Sequence, residues 1–377
     1  MKFVIFADKS YNYIKPISVG LHNTLQSEGH ESVIWYNGIH WLNKMNLLKV
    51  LFRDLYYLFM NLKTRNRNLY QYRFFDLLFF YTKSKKRMLS ECDCIIIVNN
   101  CPRIFYSKSL KRLEGIRKKF KKPIVNYDFH YLPNQAWYER IIKDPHNYGL
   151  ERFDWYLPVG IVTEFAIPKK IPRLYSSIGM DIKSHDLYPQ QNKFQALIDF
   201  ERKGYEEYRS LVIEVLNELD IPYIELKGKY TTDEIRSIYR KSSIYFISLR
   251  ESFGLPIVEL QLCGSYIFTP YKEWCPAHFL EKSPFEKGVG KLGSNFFVYD
   301  NNSELLKKQI LEIKHNYDAN QVINKFKEEY YDYYSINIDQ LNDFIYRLAS
   351  GTIHAHSHIK YKKYNKYIST DDKIILY

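Results

Sequence analysis

The run Arg250-Glu-Ser-Phe-Gly-Leu-Pro-Ile-Val-Glu259 sets two carboxylates, Glu251 and Glu259, around a stretch suited to starting a helix. Gly254 lets the backbone come close to a ligand, and Pro256 fits a first helical turn, where its missing N–H costs nothing. A helix start offers unpaired backbone N–H groups and a partial positive charge, both suited to a diphosphate. Glu251, on the loop before the helix, is then placed to accept hydrogen bonds from ligand hydroxyls. Glu259, about one turn beyond Pro256, reaches a second part of the same ligand. Two Glu at this spacing often arise by chance and are usually solvated or capping. Here the pair sits between an apolar strand candidate at 244–247 and Cys263-Gly264 followed by another at 266–268, a setting that chance explains poorly.

The elements around this run alternate. Residues 3–7 form a short apolar run, followed by a helical pattern through Leu21 and Leu25, a stop at Gly29 and a second strand at 32–36. That βαβ opening predicts a parallel sheet with right-handed crossovers. Further buried strands are expected at 94–98, 123–127 and 154–157, with a basic helix over 107–120. Pro168, Pro172, Gly179 and Pro189 punctuate an aperiodic connection over 167–191. A second series follows: strands at 194–200, 223–226, 244–247, 266–268 and 296–299, with helices at 205–219, 232–239 and 255–262. The chain then reads as helical from 303 to about 349, and the tail from Gly351 is basic, Tyr-rich and weakly periodic.

Residues 41–89 differ from the rest. Leu55-Tyr-Tyr-Leu-Phe-Met60 and Phe74-Phe-Asp-Leu-Leu-Phe-Phe-Tyr81 lie among Lys63, Arg65, Arg67 and a basic run from Lys83 to Arg87. Such a stretch either covers the first sheet or lies in a membrane interface with its cations on anionic headgroups. Residues 47–62 carry Lys49, Arg53 and Asp54, too much charge for a transmembrane helix.

At 377 residues the chain suits two domains. With 46% hydrophobic and 26% charged residues it has ordinary globular composition, which excludes disorder over most of its length. The surplus of 55 Lys and Arg over 42 Asp and Glu, +13, favours anionic partners: sugar nucleotides, lipid headgroups or nucleic acid. Five Cys without paired C-x-x-C spacing argue for reduced thiols rather than disulfides or structural zinc. The opening MKFVIFADKS has no secretory pattern, so the expected compartment is the cytoplasm. No D-x-D occurs, which points away from a metal-held donor. His354, His356 and His358 alternate in the tail and read as solvated rather than chelating.

Residues 228–270 resemble the signature of retaining GT-B glycosyltransferases of the family 4 type. The matching features are a Gly and an Asp-Glu pair before a helix, a helical Tyr, a strand, E-x7-E with Phe-Gly-Leu-Pro inside, a Cys-Gly and a closing strand. Gly179-Met-Asp181 resembles the family's linker, and the likeness runs in order over about residues 1–345, specific only in 228–270. It implies two doubly wound Rossmann-like α/β domains facing a cleft. Residues 1–180 would form an acceptor domain carrying the basic aromatic region 41–90, and 181–335 a donor domain. Residues 336–350 would be a helix returning to the first domain, with 351–377 a basic tail.

The resemblance also assigns roles. Glu251 would hold the donor sugar and Glu259 the ribose hydroxyls, while Ser252 and the amides around Phe253, Gly254 and Leu255 face sugar and phosphate. Arg202 or Lys203 in Phe200-Glu-Arg-Lys-Gly204 would grip the diphosphate as charge develops on it. These two cations are adjacent, whereas the family spaces its Arg and Lys apart, and a solvated basic turn is the plain alternative. Asn126-Tyr-Asp-Phe-His130 follows a buried strand, at the edge where open α/β sheets bind ligands. His130 matches the family His that reaches the donor sugar, and Asp128 could contact the acceptor. The first-strand loop, residues 9–20, matches the family's Gly-rich loop poorly.

The implied activity is metal-independent hexosyl transfer from a nucleotide sugar, a co-substrate, with no cofactor. The basic aromatic region 41–89 itself points to a saccharide or lipid-linked acceptor in surface polysaccharide or glycolipid synthesis, with peripheral contact to an anionic membrane; no nucleic acid is expected. The rival readings are a GT-B epimerase or phosphorylase, and a non-catalytic module binding anionic membrane or nucleic acid.

Overall fold

The apolar runs of the first half form one parallel sheet and those of the second half another in the computed structural model. The structure describes residues 1–7, 14–36, 46–64, 83–98, 116–117, 119–128, 153–159, 176–183, 185–247, 254–270, 291–355, 367–370 and 373–376. The expected helix over 107–120 falls mostly outside these residues, as do residues 74–81, Cys101 and the His356 and His358 of the tail.

The first sheet contains β1 (Lys2–Ala7), β2 (Glu31–Tyr36), β3 (Cys94–Val98), β4 (Ile124–Asp128) and β5 (Trp155–Pro158), ordered β2-β1-β3-β4-β5 and parallel throughout. Strands β3 and β5 are buried along their whole length. That burial is why they read as unbroken apolar runs rather than as alternation: layers cover a parallel sheet on both faces. Helix α1 (Ile14–Ser27) packs Ile14, Ile17, Leu21 and Leu25 into this core and ends at Gly29, whose φ of 78° suits a residue without a Cβ. Helices α2 (Asn46–Thr64) and α3 (Lys83–Glu91) also lie among the described residues of this half.

The second sheet is built from β6 (Ala196–Ile198), β7 (Tyr223–Glu225), β8 (Ile244–Phe246), β9 (Tyr266–Thr269) and β10 (Phe296–Val298). Its order, β7-β6-β8-β9-β10, repeats that of the first sheet, and every pairing is again parallel. Around it lie α4 (Glu206–Glu218), α5 (Thr232–Lys241) and α6 (Leu255–Leu262). Helix α5 begins in a full capping box, Thr231 with Glu234, and ends in Arg240 and Lys241, so both ends complement the helix dipole.

The long helical run after 303 divides into α7 (Ser303–Asn316), α8 (Ala319–Glu329) and α9 (Ile338–Ala349). Each starts at an Asn or Asp whose side chain accepts a backbone N–H: Asn302 from Leu305, Asp318 from Asn320 and Asn337 from Gln340. Helix α9 brings the Arg347 guanidinium over the ring of Trp155 in β5, 5.7 Å from its centre. In the tail, β11 (Tyr367–Thr370) and β12 (Lys373–Leu376) pair antiparallel, an element that the weak periodicity did not predict.

The chain between the two sheets is held from both sides. Tyr127 of β4 donates its hydroxyl to the Gly179 carbonyl at 2.8 Å, and Trp155 donates to the Ser176 hydroxyl at 3.1 Å. On the other side Met180 donates to Asp332 O at 2.8 Å, and Asn337 donates to Ile178 O at 2.8 Å. A Cβ on Gly20 of α1 would stand 2.1 Å from the Asp181 carbonyl oxygen, so the helix meets the connection there at backbone distance.

Candidate functional site

In an open parallel sheet, ligands gather outside the carboxyl ends of the strands where the strand order reverses. In the second sheet that point lies between β6 and β8, which pair directly. The turn after β6 carries Arg202 and Lys203, and the chain leaving β8 returns as Gly254 and α6. Residues far apart in sequence are thereby brought to one sheet edge.

Helix α6 runs from Leu255 to Leu262, the span its pattern predicts, with Gly254 as N-cap and Pro256 in the first turn. Every residue of it except Pro256 is buried. Gly254 has no side chain with which to cap, Pro256 has no N–H, and Ile257 and Val258 both donate back to the Gly254 carbonyl. The amides of Gly254 and Leu255 make no hydrogen bond among the described residues. The helix start therefore keeps unpaired donors for an anionic group.

Glu259 is 7% exposed. A carboxylate so deep needs a counter-charge, and Arg236 of α5 supplies it. Its Nη2 lies 2.6 Å and its Nε 3.2 Å from Glu259 Oε1, two donors on one oxygen. Oε2 accepts no hydrogen bond among the described residues. The arrangement fixes the carboxylate through one oxygen and leaves the other to a ligand donor such as a hydroxyl.

Arg236 also donates from Nη2 to Nδ1 of His185, 2.9 Å away, and that nitrogen is 3.5 Å from Glu259 Oε1. The Nε2 of His185 is buried without a partner among the described residues. One turn along α5, Arg240 donates to the Asp186 carbonyl at 2.6 Å and to its carboxylate at 2.8 Å, and stacks over Tyr188. Residues 185–188 are thus clamped onto α5, which in turn holds Glu259. The sequence reading missed Arg236, His185 and Arg240. The i,i+4 spacing of the two arginines was the available signal, whereas nothing near His185 announces its partner.

Arg202 and Lys203 are both exposed and enter no ion pair among the described residues. The neighbouring Arg209 is committed: it donates to the Asp199 carbonyl and, at 2.7 Å, to Glu225. That hydrogen bond is the main reason the Glu225 carboxyl titrates below its ordinary range. Cys263, just beyond α6, is buried, and burial pushes its thiol up to about 12, so it is no nucleophile. In the first sheet Asp128 is the last residue of β4, in register with Pro158, and so stands at the carboxyl edge as expected. Glu251, Ser252, Phe253 and His130 lie outside the described residues.

No protein-family model and no curated protein matches the chain. Solved structures do. An alpha-glucosyltransferase in complex with UDP and a 13-mer DNA aligns with 93% of this chain and 99% of its own, at TM-score 0.54 and 13% identity. UDP-GlcNAc 2-epimerase from Neisseria meningitidis, bound to UDP-GlcNAc, aligns over 93% and 100% at TM-score 0.52 and 9% identity. HepE from Anabaena, in complex with UDP and glucose, does so over the same shares at TM-score 0.50 and 12% identity. The fold is GT-B.

Proposed function

We propose that this chain is a glycosyltransferase that takes a hexose from a nucleotide sugar to an acceptor hydroxyl, with retention at the anomeric carbon and without a metal ion. The observation that carries the proposal is Glu259, a buried carboxylate anchored through Oε1 by Arg236 and open at Oε2, inside a helix that starts with unpaired amides. A nucleoside diphosphate sugar answers each part. Its ribose hydroxyls donate to Glu259, and its diphosphate meets the start of α6 and the cations of the β6 turn. UDP-GlcNAc, bound by the epimerase, is of that ligand class, and the UDP and glucose of the other two structures are components of such a ligand.

In the mechanism that follows, Glu251 orients the donor sugar, with His130 and Asp128 approaching it and the acceptor from the first domain. The acceptor oxygen bonds to the anomeric carbon as the bond from that carbon to the diphosphate oxygen breaks. Arg202 or Lys203 stabilises the departing charge, and the leaving phosphate takes the acceptor proton. No protein nucleophile is required. The E-x7-E pair with Phe-Gly-Leu-Pro supports placing the chain beside family 4, and the basic aromatic region of the first half supports a surface polysaccharide or glycolipid as acceptor.

Calorimetry against a panel of nucleotide sugars tests the donor site. The wild type should bind at least one, and Glu259→Ala should weaken that binding by roughly ten- to a hundredfold, the worth of hydrogen bonds to a charged group. Unchanged affinity in folded Glu259→Ala would reject the ribose assignment, and Glu259→Gln, which keeps an acceptor on Arg236, controls for lost folding. The epimerase structures have the same fold, so products must be identified: a donor isomerised without any acceptor would replace transfer by epimerisation. The alpha-glucosyltransferase structures contain DNA, and this chain is basic, so duplex DNA belongs among the acceptors assayed. Activity that survives a chelator is expected.

A further inference from the structure

Helix α2 wears its amphipathic pattern inside out. Phe52, Leu55, Tyr56, Phe59 and Leu62 recur at spacings of three and four, so they share one side of the helix. That side faces water: Phe52 is 68%, Phe59 64% and Leu62 72% exposed, and Leu55 and Tyr56 are exposed as well. Asp54, away from the stripe, is 5% exposed. A surface helix of a soluble domain buries its apolar side. A contiguous exposed apolar stripe marks contact with something else.

The charge around the stripe says what that is. Arg53 is exposed beside Phe52, and the sequence places Lys49 and Lys63 in the same helix and Arg65 and Arg67 just after it, in a chain of net charge +13. A hydrophobic groove on a protein would accept the stripe but gives no reason for the cations. Nucleic acid would accept the cations but has no use for exposed Leu55 and Leu62. The boundary of an anionic bilayer takes both: Phe and Leu enter the acyl edge, Tyr sits at headgroup level, and Lys and Arg meet the lipid phosphates. Among the described residues no helix is long and apolar enough to cross a membrane, so the contact is peripheral.

We propose that α2 is a membrane-docking helix that lies in the headgroup plane and seats the first domain on an anionic lipid surface. This inference does not depend on the donor site. Where both hold, the acceptor is drawn from a bilayer face.

Flotation of the full chain with vesicles tests it, comparing phosphatidylglycerol mixed with phosphatidylcholine against phosphatidylcholine alone. The wild type should float with the anionic vesicles, more weakly in high salt, and hardly with the neutral ones. The triple variant Phe52→Ser, Phe59→Ser, Leu62→Ser should lose about tenfold or more of that affinity, with its melting temperature and nucleotide-sugar affinity unchanged. Hydrogen exchange on the wild type gives a readout that needs no variant: anionic vesicles should add protection within residues 46–64. The proposal is overturned by a wild type that ignores anionic vesicles, a folded triple variant that floats as well as wild type, or protection elsewhere but not in α2. It is equally overturned by a wild-type dimer that the triple variant dissolves, or by DNA binding that depends on the stripe while vesicle binding does not.

Discussion

Helices α6 and α2 hold the same kinds of residue in opposite places. In α6 the apolar residues are inside, and the buried carboxylate of Glu259 is answered by Arg236. In α2 aromatic rings lie in water while Asp54 is turned in. The first helix is specified by its surroundings within the chain, so its substitution costs stability. The second presents a surface whose partner lies outside the chain, so its substitution should cost binding and leave folding alone.

The contrast is broken or sharpened by substitution. Arg236→Met should have the largest effect. It leaves Glu259 buried without a counter-charge and should cost about 3–5 kcal/mol in chemical denaturation, whereas the α2 triple variant should stay within roughly 0.5 kcal/mol of wild type. Equal losses in the two would erase the distinction. Gly20→Ala comes next, since its methyl would collide with the Asp181 backbone carbonyl; an overpacking cost of about 1–3 kcal/mol is expected, read as a lowered melting temperature. Arg202→Ala and Lys203→Ala, both exposed, should leave melting unchanged. One of them should weaken nucleotide-sugar binding by roughly tenfold in calorimetry, the loss of a charge-assisted contact.

The smallest effect is that of pH on the Arg209–Glu225 pair. Because Arg209 holds the Glu225 carboxyl below its ordinary value, the stabilisation is complete above the usual carboxylate range and is lost as pH falls through the lowered value. Glu225 is partly exposed, so screening keeps this under about 1 kcal/mol. Arg209→Met should remove that part of the acid dependence of melting.

What was legible in the sequence follows from which signals are local. Helix α6 matches its reading to the residue because Gly254-Leu-Pro opens it and Cys263-Gly264 closes it, both by backbone rules. The ten strands of the two sheets were legible as apolar runs, although β6 keeps only Ala196–Ile198 of a longer stretch. The pattern after 303 reads as one helical run, with 336–350 set apart only by the resemblance; the caps at Asn302, Asp318 and Asn337 are the overlooked local signal for its division. The tail hairpin went unread because Tyr367–Thr370 and Lys373–Leu376 are too short for periodicity to register. The places of Gly254 and Leu255 at the start of α6, and of Glu259 within it, were readable from their run. Arg236 and Arg240 offered only their i,i+4 spacing, and His185 nothing, because a pairing across 51 positions leaves no local trace. The sequence showed that 46–64 is amphipathic, but which side meets water depends on the packing of the whole half.

The connection between the sheets has a mechanical corollary. The chain passes from one half to the other near Met180 and comes back near Asp332, and the two passages are laced together by backbone hydrogen bonds, Met180 to Asp332 and Ile178 to Asn337. Two pins set in the same jamb allow a door one kind of swing. Any opening between the halves is accordingly steered about an axis through this lacing, and a single cut in the outgoing strand would leave the returning one still joining the halves.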